Sequence, residues 1–387
     1  MKKKQAVILT SLLCLVAAFL YAAPQYEVDF VKGDITKKIK AVNQGARSHD
    51  SELLIKALNF AFEATADIGD DKDISSLVKT VVVNLDSRFM NQEQRATVSS
   101  LLANVFKTYP ENDIRLAVLD RFSAFPVANN VSLVNAFVSE KAQQAAPMDD
   151  VLLESIRLLK QIGNKTSFNV LFTADLMGVW KDYSFVIEEA LAPLINSNEA
   201  ETLNLFNNAR TGDRLKILRI LQENTIITKK IKGRVAETAL SVAISKAGES
   251  QEKLVHEDVE LQLLALQLIA DTKWTRSAKN ATAYFDIARD EYEDGMLADE
   301  QFAAVVTNVA SVACSDTGRV LSSYLDFLNK SMETNGAPAE AVVLSVIKAL
   351  GGLGDKTAFD YLLYVTYLDY PEYITNAARN ALTQLKW

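Results

Sequence analysis

The sequence predicts an all-α protein, and three observations carry that prediction. Apolar residues recur at helical spacing along nearly the whole chain, whereas alternating, strand-like runs are scarce. Prolines and glycine–polar pairs punctuate those stripes at regular intervals. Finally, residues 158–194 and 349–385 align without a gap at a spacing of 191. Leu159, Gly163, Lys165, Thr166, Phe168, Leu171, Ala190, Leu191 and Leu194 match Leu350, Gly354, Lys356, Thr357, Phe359, Leu362, Ala381, Leu382 and Leu385. Nine identities in 37 pairs is modest, but they fall at a turn and on apolar stripes, where a packed helical unit needs them. A repeat of this size points to antiparallel helix pairs stacked one on the next.

The amino terminus reads as a cleavable signal peptide over residues 1–22. Lys2, Lys3 and Lys4 supply a positive start, Ala6 to Leu20 is uncharged and mostly apolar, and the small residues Ala22 and Ala23 follow. Cleavage is expected after Ala22 or Ala23, with Pro24 disfavouring the second. A retained membrane anchor is the alternative, but the run is short for a span and Tyr26, Glu27 and Asp29 follow closely. Cys14 raises lipoprotein processing, which Leu13 disfavours because a small residue is expected before a lipidated cysteine. The product, residues 23–387, is expected to be periplasmic or secreted. Losing the three lysines moves the formal charge from −8 to −11, which argues against general nucleic-acid binding. No later stretch is long and apolar enough to span a bilayer. Cys314 is the one cysteine left, so no intramolecular disulfide forms and stability must come from packing.

The helices follow in order. Leu53, Leu54, Ala57, Leu58, Ala61 and Phe62 form one stripe; Ile74, Leu77, Val78, Val81 and Leu85 form the next; Leu261, Leu264, Ala265, Leu268 and Ile269 form another. Each covers one side of a helix of about 12–20 residues. In all, 17 or 18 helices are expected. Pro110, Pro126, Pro147, Pro338 and Pro371 mark boundaries, where a missing amide hydrogen does little harm. Gly163–Asn164 and Gly354–Asp355 read as a helix-ending glycine followed by a polar N-cap. Ten helices separate these two turns, which makes five pairs of about 38 residues each. Gly69–Asp70 resembles the same turn, but an odd number of helices separates it from Gly163, which suggests one miscounted helix.

Residues 349–385 carry a more specific likeness: an apolar helix end, Gly-Asp, a second helix beginning near Ala358, then Ala-Ala-x-x-Ala-Leu. This resembles a HEAT repeat. Residues 158–194 are similar but have Val186 and Ile187 where Ala377 and Ala378 stand. The Trp-Leu-Gly-Tyr pattern of tetratricopeptide repeats is absent. The resemblance implies a right-handed, HEAT-like α-solenoid over residues 23–387, with its clearest units at 150–195 and 337–387. Gly248 to Glu252 and Thr334 to Pro338 read as insertions, and no domain boundary stands out.

Catalytic vocabulary is thin. His49 and His256 are far apart, no HExxH or clustered His/Cys spacing exists, and a zinc site has little support. His256 reads as a surface residue at a helix start, and Cys314 as a small buried helix residue without a neighbouring base. Gly351-Gly-Leu-Gly354-Asp-Lys356-Thr357 lacks the GxxxxGK order of a phosphate loop and is explained as a repeat turn. Asp67, Asp70, Asp71 and Asp73 lack EF-hand spacing and read as a helix cap. Asn164 and Asn280 match glycosylation sequons. No cofactor and no metal are expected.

Two features rise above this background. Between Arg210 and Arg234, eight cations (Arg210, Arg214, Lys216, Arg219, Lys229, Lys230, Lys232 and Arg234) face two acids, a net +6. Between Asp286 and Glu300 the balance is −6. A basic strip holding Arg214, Lys229, Lys230, Lys232 and Arg234 could meet an anionic surface; ordinary solvated faces, balanced by neighbouring acids after folding, are the alternative. Tyr361, Tyr364, Tyr367, Tyr370 and Tyr373 crowd the carboxyl end at a spacing of three, which drifts around a helix. Tyr361, Tyr364 and Tyr367 are candidate contacts, and a cap over the last core is the competing account. Together these features predict an exported, non-catalytic scaffold that binds a protein or cell-envelope partner. A carbohydrate- or cell-wall-processing helical enzyme and a self-assembling spacer are the alternatives.

Overall fold

The computed structural model describes residues 24–386 except 70, 127, 250–255 and 335, so the expected signal peptide, with Cys14, lies outside the described residues. Among the described residues the chain is all-helical, with twenty α-helices and no strand. No helix there is long and apolar enough to cross a membrane. Twenty exceeds the expected 17 or 18 because helices of seven, eight and ten residues, such as Phe359–Val365, Gln25–Lys32 and Glu199–Asn208, are too short to show a full periodic stripe.

The chain divides into two compact units, Met1–Leu194 and Ile195–Trp387. The first contains α1 (Gln25–Lys32), α2 (Ile35–Arg47), α3 (Ser51–Ile68), α4 (Lys72–Asn84) and α5 (Gln92–Thr108). It continues with α6 (Asn112–Phe122), α7 (Ala128–Gln143), α8 (Asp150–Ile162), α9 (Lys165–Met177) and most of α10 (Ser184–Ser197). From α2 to α9 each helix packs on the next but one, and within pairs such as α2–α3, α3–α4, α5–α6 and α7–α8 also on its neighbour. Thus α2, α4, α6 and α8 make one row, and α3, α5, α7 and α9 the other. The stripe Leu53, Leu54, Ala57, Leu58 and Ala61 is buried between the rows, as are Ile74, Leu77, Val78, Val81 and Leu85. Polar N-caps start most of these helices: Asp34, Asp50, Asp71, Asn91, Asp149 and Asn164 each accept a backbone N–H. Asp71 takes two, from Asp73 and Ile74, which gives the aspartate cluster its cap role.

The second unit contains α11 (Glu199–Asn208), α12 (Thr211–Glu223), α13 (Lys229–Glu249), α14 (His256–Thr272) and α15 (Ala278–Glu293). It ends with α16 (Asp299–Ser311), α17 (Thr317–Glu333), α18 (Glu340–Leu353), α19 (Phe359–Val365) and α20 (Glu372–Gln384). Here α12, α14, α16, α18 and α20 pack serially in one row. In the other, α11 packs on α13, α13 on α15, and α17 on α19; α15 reaches α17 through the Phe285 and Tyr324 rings, 5.4 Å apart. Helix α14 is buried around most of its girth, including Gln262 at 2% exposure.

Ten helices, α9 to α18, do separate the Gly163 and Gly354 turns. The odd count before Gly163 is equally real: α4 to α8 are five helices. Gly69 therefore joins an odd-row helix to an even-row one, whereas Gly163 and Gly354 join even to odd. No helix is missing from that interval, and Gly69 belongs to the other kind of connection. Two further expectations change. Of the expected insertion, Gly248 and Glu249 close α13 while 250–252 lie outside the described residues, and Cys314 sits half-buried in the turn before α17 rather than within a helix.

Candidate functional site

The segment from Arg210 to Arg234 runs through α12 into the first turns of α13, and folding commits most of its charge. Arg214 lies on α12 with its guanidinium over the Phe206 ring, 5.6 Å from the centroid. Its Nε donates to the Phe206 carbonyl at 2.9 Å and its Nη2 to the Asn207 carbonyl at 2.6 Å. It thus satisfies carbonyls that the end of α11 would otherwise leave open. Lys232 Nζ donates to the Gln222 carbonyl at 3.4 Å, and burial draws its amine below the ordinary lysine range. Arg219 pairs with Glu260 of α14. Lys230 and Arg234 are brought together on one carboxylate, Glu199, with Lys230 at 3.0 Å. The hydrogen bond from Lys230, reinforced by Arg234, holds the Glu199 carboxyl below its usual range. Lys229, the first residue of α13, is exposed.

Beside this cluster lies a groove of about 590 Å³ whose floor is one face of α13, with Arg234, Thr238, Ser241 and Ser245 at helical spacing. Leu203 of α11 forms one wall and Arg276, from the turn after α14, the other. Gly233 shapes this corner: a Cβ there would lie 2.5 Å from the Trp274 ring, so its absence lets the indole rest on the helix. Trp274 Nε1 then donates to Glu237 at 2.9 Å, and Glu237 also pairs with Arg276 at 3.7 Å. Asn280 donates to Ser241 at 2.8 Å, which commits that sequon's side chain to helix packing. The groove therefore offers hydroxyls, one carboxylate and two guanidiniums, a surface suited to polar and charged groups. Sequence reasoning marked Arg234. It missed Glu237 and Arg276, whose signal was the Arg234–Glu237–Ser241 spacing and the contact-permitting Gly233.

The carboxyl-terminal tyrosines spread as the spacing of three requires. Tyr370 is buried at 7% exposure, donates its hydroxyl to the Leu328 carbonyl at 3.2 Å, and is pushed up to about 12 by burial. Tyr364 donates to Glu333 and Tyr373 to Glu340, so both rings lie over neighbouring helices at their polar rims. Tyr361 is half-buried, and its carbonyl accepts from Asn329 at 3.1 Å. Tyr367 is 75% exposed. These residues gather with α17, α18 and α20, apart in the chain from the groove on α13.

Elsewhere, His256 is the exposed first residue of α14. His49, at a positive φ of 58°, stacks on Phe89 with centroids 3.6 Å apart. Burial pushes the Cys314 thiol up, but hydrogen bonds with Thr282 and from the Asp316 and Thr317 amides outweigh it and bring it below its ordinary value. Among the described residues, no group of three His, Cys, Asp or Glu side chains is placed to hold a metal ion. No family model, curated protein or solved structure matches the chain.

Proposed function

We propose that this chain is an exported, HEAT-repeat-like scaffold, a right-handed α-solenoid that binds a protein or cell-envelope component without catalysing a reaction. The serial packing of helices on the next and the next but one supports this reading most directly, because such rows set the outward faces of successive helices side by side. Binding on such a surface draws on many modest contacts, and fold by itself does not choose among partners. The α13 groove is where polar recognition is best equipped: Arg234, Glu237 and Arg276 are held in place by their own ion pairs while hydroxyls line the floor.

A photo-crosslinking residue at Ser245, on the groove floor, tests this in the native host, with the exposed Thr383 as control position. A discrete crosslinked species from Ser245, weakened by Arg234→Glu, is the expected result. Equal yields from both positions would remove the groove from the proposal. Processing of the amino terminus is read from the mass of the exported product, which should lack residues 1–22.

A further inference from the structure

Inside the acidic stretch that follows α14, one carboxyl group is not on the surface. Glu291, in the last turn of α15, is 3% exposed, and among the described residues neither lysine nor arginine pairs with it. Its neighbours are polar but neutral. The Tyr284 hydroxyl donates to Oε2 at 3.4 Å, and the amide end of Gln262, from α14, lies 2.6 Å from Oε1 and 3.2 Å from both Oε2 and the Tyr284 hydroxyl. A negative charge is doubly disfavoured here: it has lost its water, and it stands where the α15 dipole is itself negative. Burial above all pushes the Glu291 carboxyl up to about 7, against hydrogen bonds from Tyr284 and Gln262 and with Asp290 adding repulsion.

The surrounding groups have other commitments. On α15, Arg289 is engaged by Asp286 at 3.3 Å, Asp290 at 2.9 Å and Glu293 at 3.8 Å. On α14, Asp258 lies one turn before Gln262 and accepts from Thr211 at 3.2 Å. At the start of α16, Asp299 accepts from the Tyr292 hydroxyl at 2.7 Å, and α17 contributes Tyr324, a neutral phenol. Arg289, the cation on the same helix, is thus held by other carboxylates, and among the described residues no lysine or arginine pairs with Glu291.

The Gln262 amide has two ends, and each suits one protonation state. With the carbonyl towards Glu291, a protonated carboxyl can donate to the amide oxygen. With the nitrogen towards it, the amide donates to a carboxylate instead. We propose that Gln262, Tyr284 and Glu291 form a proton-reading latch between α14 and α15, closed while Glu291 is an acid and loosened once it becomes a carboxylate and the amide turns over. Loss of the proton to solvent leaves a buried anion that only dipoles compensate, so the α14–α15 contact opens more readily as pH rises.

The sign follows from linkage. The folded unit holds a proton that the open form releases at the ordinary 4.5, so stability is fullest below 4.5, falls as pH rises towards about 7, and levels beyond it. Hydrogen exchange of the α14 and α15 amides, corrected for intrinsic chemistry, should show opening that grows about tenfold per pH unit across that window. Glu291→Gln keeps a neutral side chain and should flatten the profile; parallel slopes in the two proteins would overturn the latch. Infrared spectroscopy of the unaltered chain gives an answer that does not depend on the variant folding. A protonated-carboxyl band present at pH 6 and lost at pH 8 is expected, and its absence at pH 6 refutes the proposal.

Discussion

The two copies of the helical unit, residues 158–194 and 349–385, share their framework but not their surroundings. Leu159, Leu171, Ala190 and Leu194 are buried, and so are their counterparts Leu350, Leu362, Ala381 and Leu385. Phe168 and Leu191 are buried as well, at 1% and 0%, whereas the identical Phe359 and Leu382 are half-exposed. In the first copy Phe168 stacks with Phe172 at 5.8 Å on a 13-residue helix. In the second the corresponding helix has seven residues, entered through a 3₁₀ turn, and among the described residues no helix follows α20. Identity of sequence thus fixes the inner stripe of each pair, while neighbours decide the rest. The turns differ too. Gly354 is left-handed, with φ 67°, whereas Gly163 has an ordinary φ of −63° and is needed because a Cβ would lie 2.2 Å from the Leu159 carbonyl. One glycine serves conformation and the other close approach.

The widest gap should come from the phenylalanines. Phe168→Ala empties a closed core and should cost about 3–5 kcal/mol, and Phe359→Ala about half of that, in denaturant unfolding. Equal losses would break the comparison. The glycines come next. Gly163→Ala should cost about 2–3 kcal/mol because backbone must shift, against about 1–2 kcal/mol for the left-handed strain of Gly354→Ala. A milder Gly163→Ala would show that its turn relaxes freely. Smaller still are two hydrogen bonds that tie each copy to what precedes it. Trp180 Nε1 donates to the Ala146 carbonyl at 2.8 Å, and the Tyr370 hydroxyl to the Leu328 carbonyl at 3.2 Å. Trp180→Phe and Tyr370→Phe should each lose about 1 kcal/mol, the tryptophan somewhat more through lost volume. Asn164→Ala removes a cap from α9 and should cost a similar 1 kcal/mol or about that, visible as a lowered midpoint.

Much of this framework is legible in the chain itself. The apolar stripes name the buried faces, and five prolines fall at helix boundaries because a ring without an amide hydrogen is tolerated there. Pro193 is the exception: it sits inside α10, where the missing bond is borne by a helix whose Ala190, Leu191 and Ile195 are buried. Short helices escaped because seven to ten residues hold barely two turns of pattern. The candidate site was half visible. Clustered cations can be counted along a chain, but their fate depends on acids brought from elsewhere, such as Glu199, 31 positions before Lys230. Glu291 was hidden for the same reason. Counted among surface acids, it is a core residue, and nothing in the letters around it distinguishes an inward carboxyl from an outward one.

The five-helix interval between Gly69 and Gly163 carries a rule for how this molecule can change. Because helices alternate between the two rows within each unit, gaining or losing a single one would move the helices after it in that unit to the opposite row. Whole hairpins can be inserted or deleted at tolerable cost; lone helices cannot. A likeness that keeps row position must therefore span an even tally, and the resemblance of Gly69 to the later glycines is one of local turn chemistry rather than of row position.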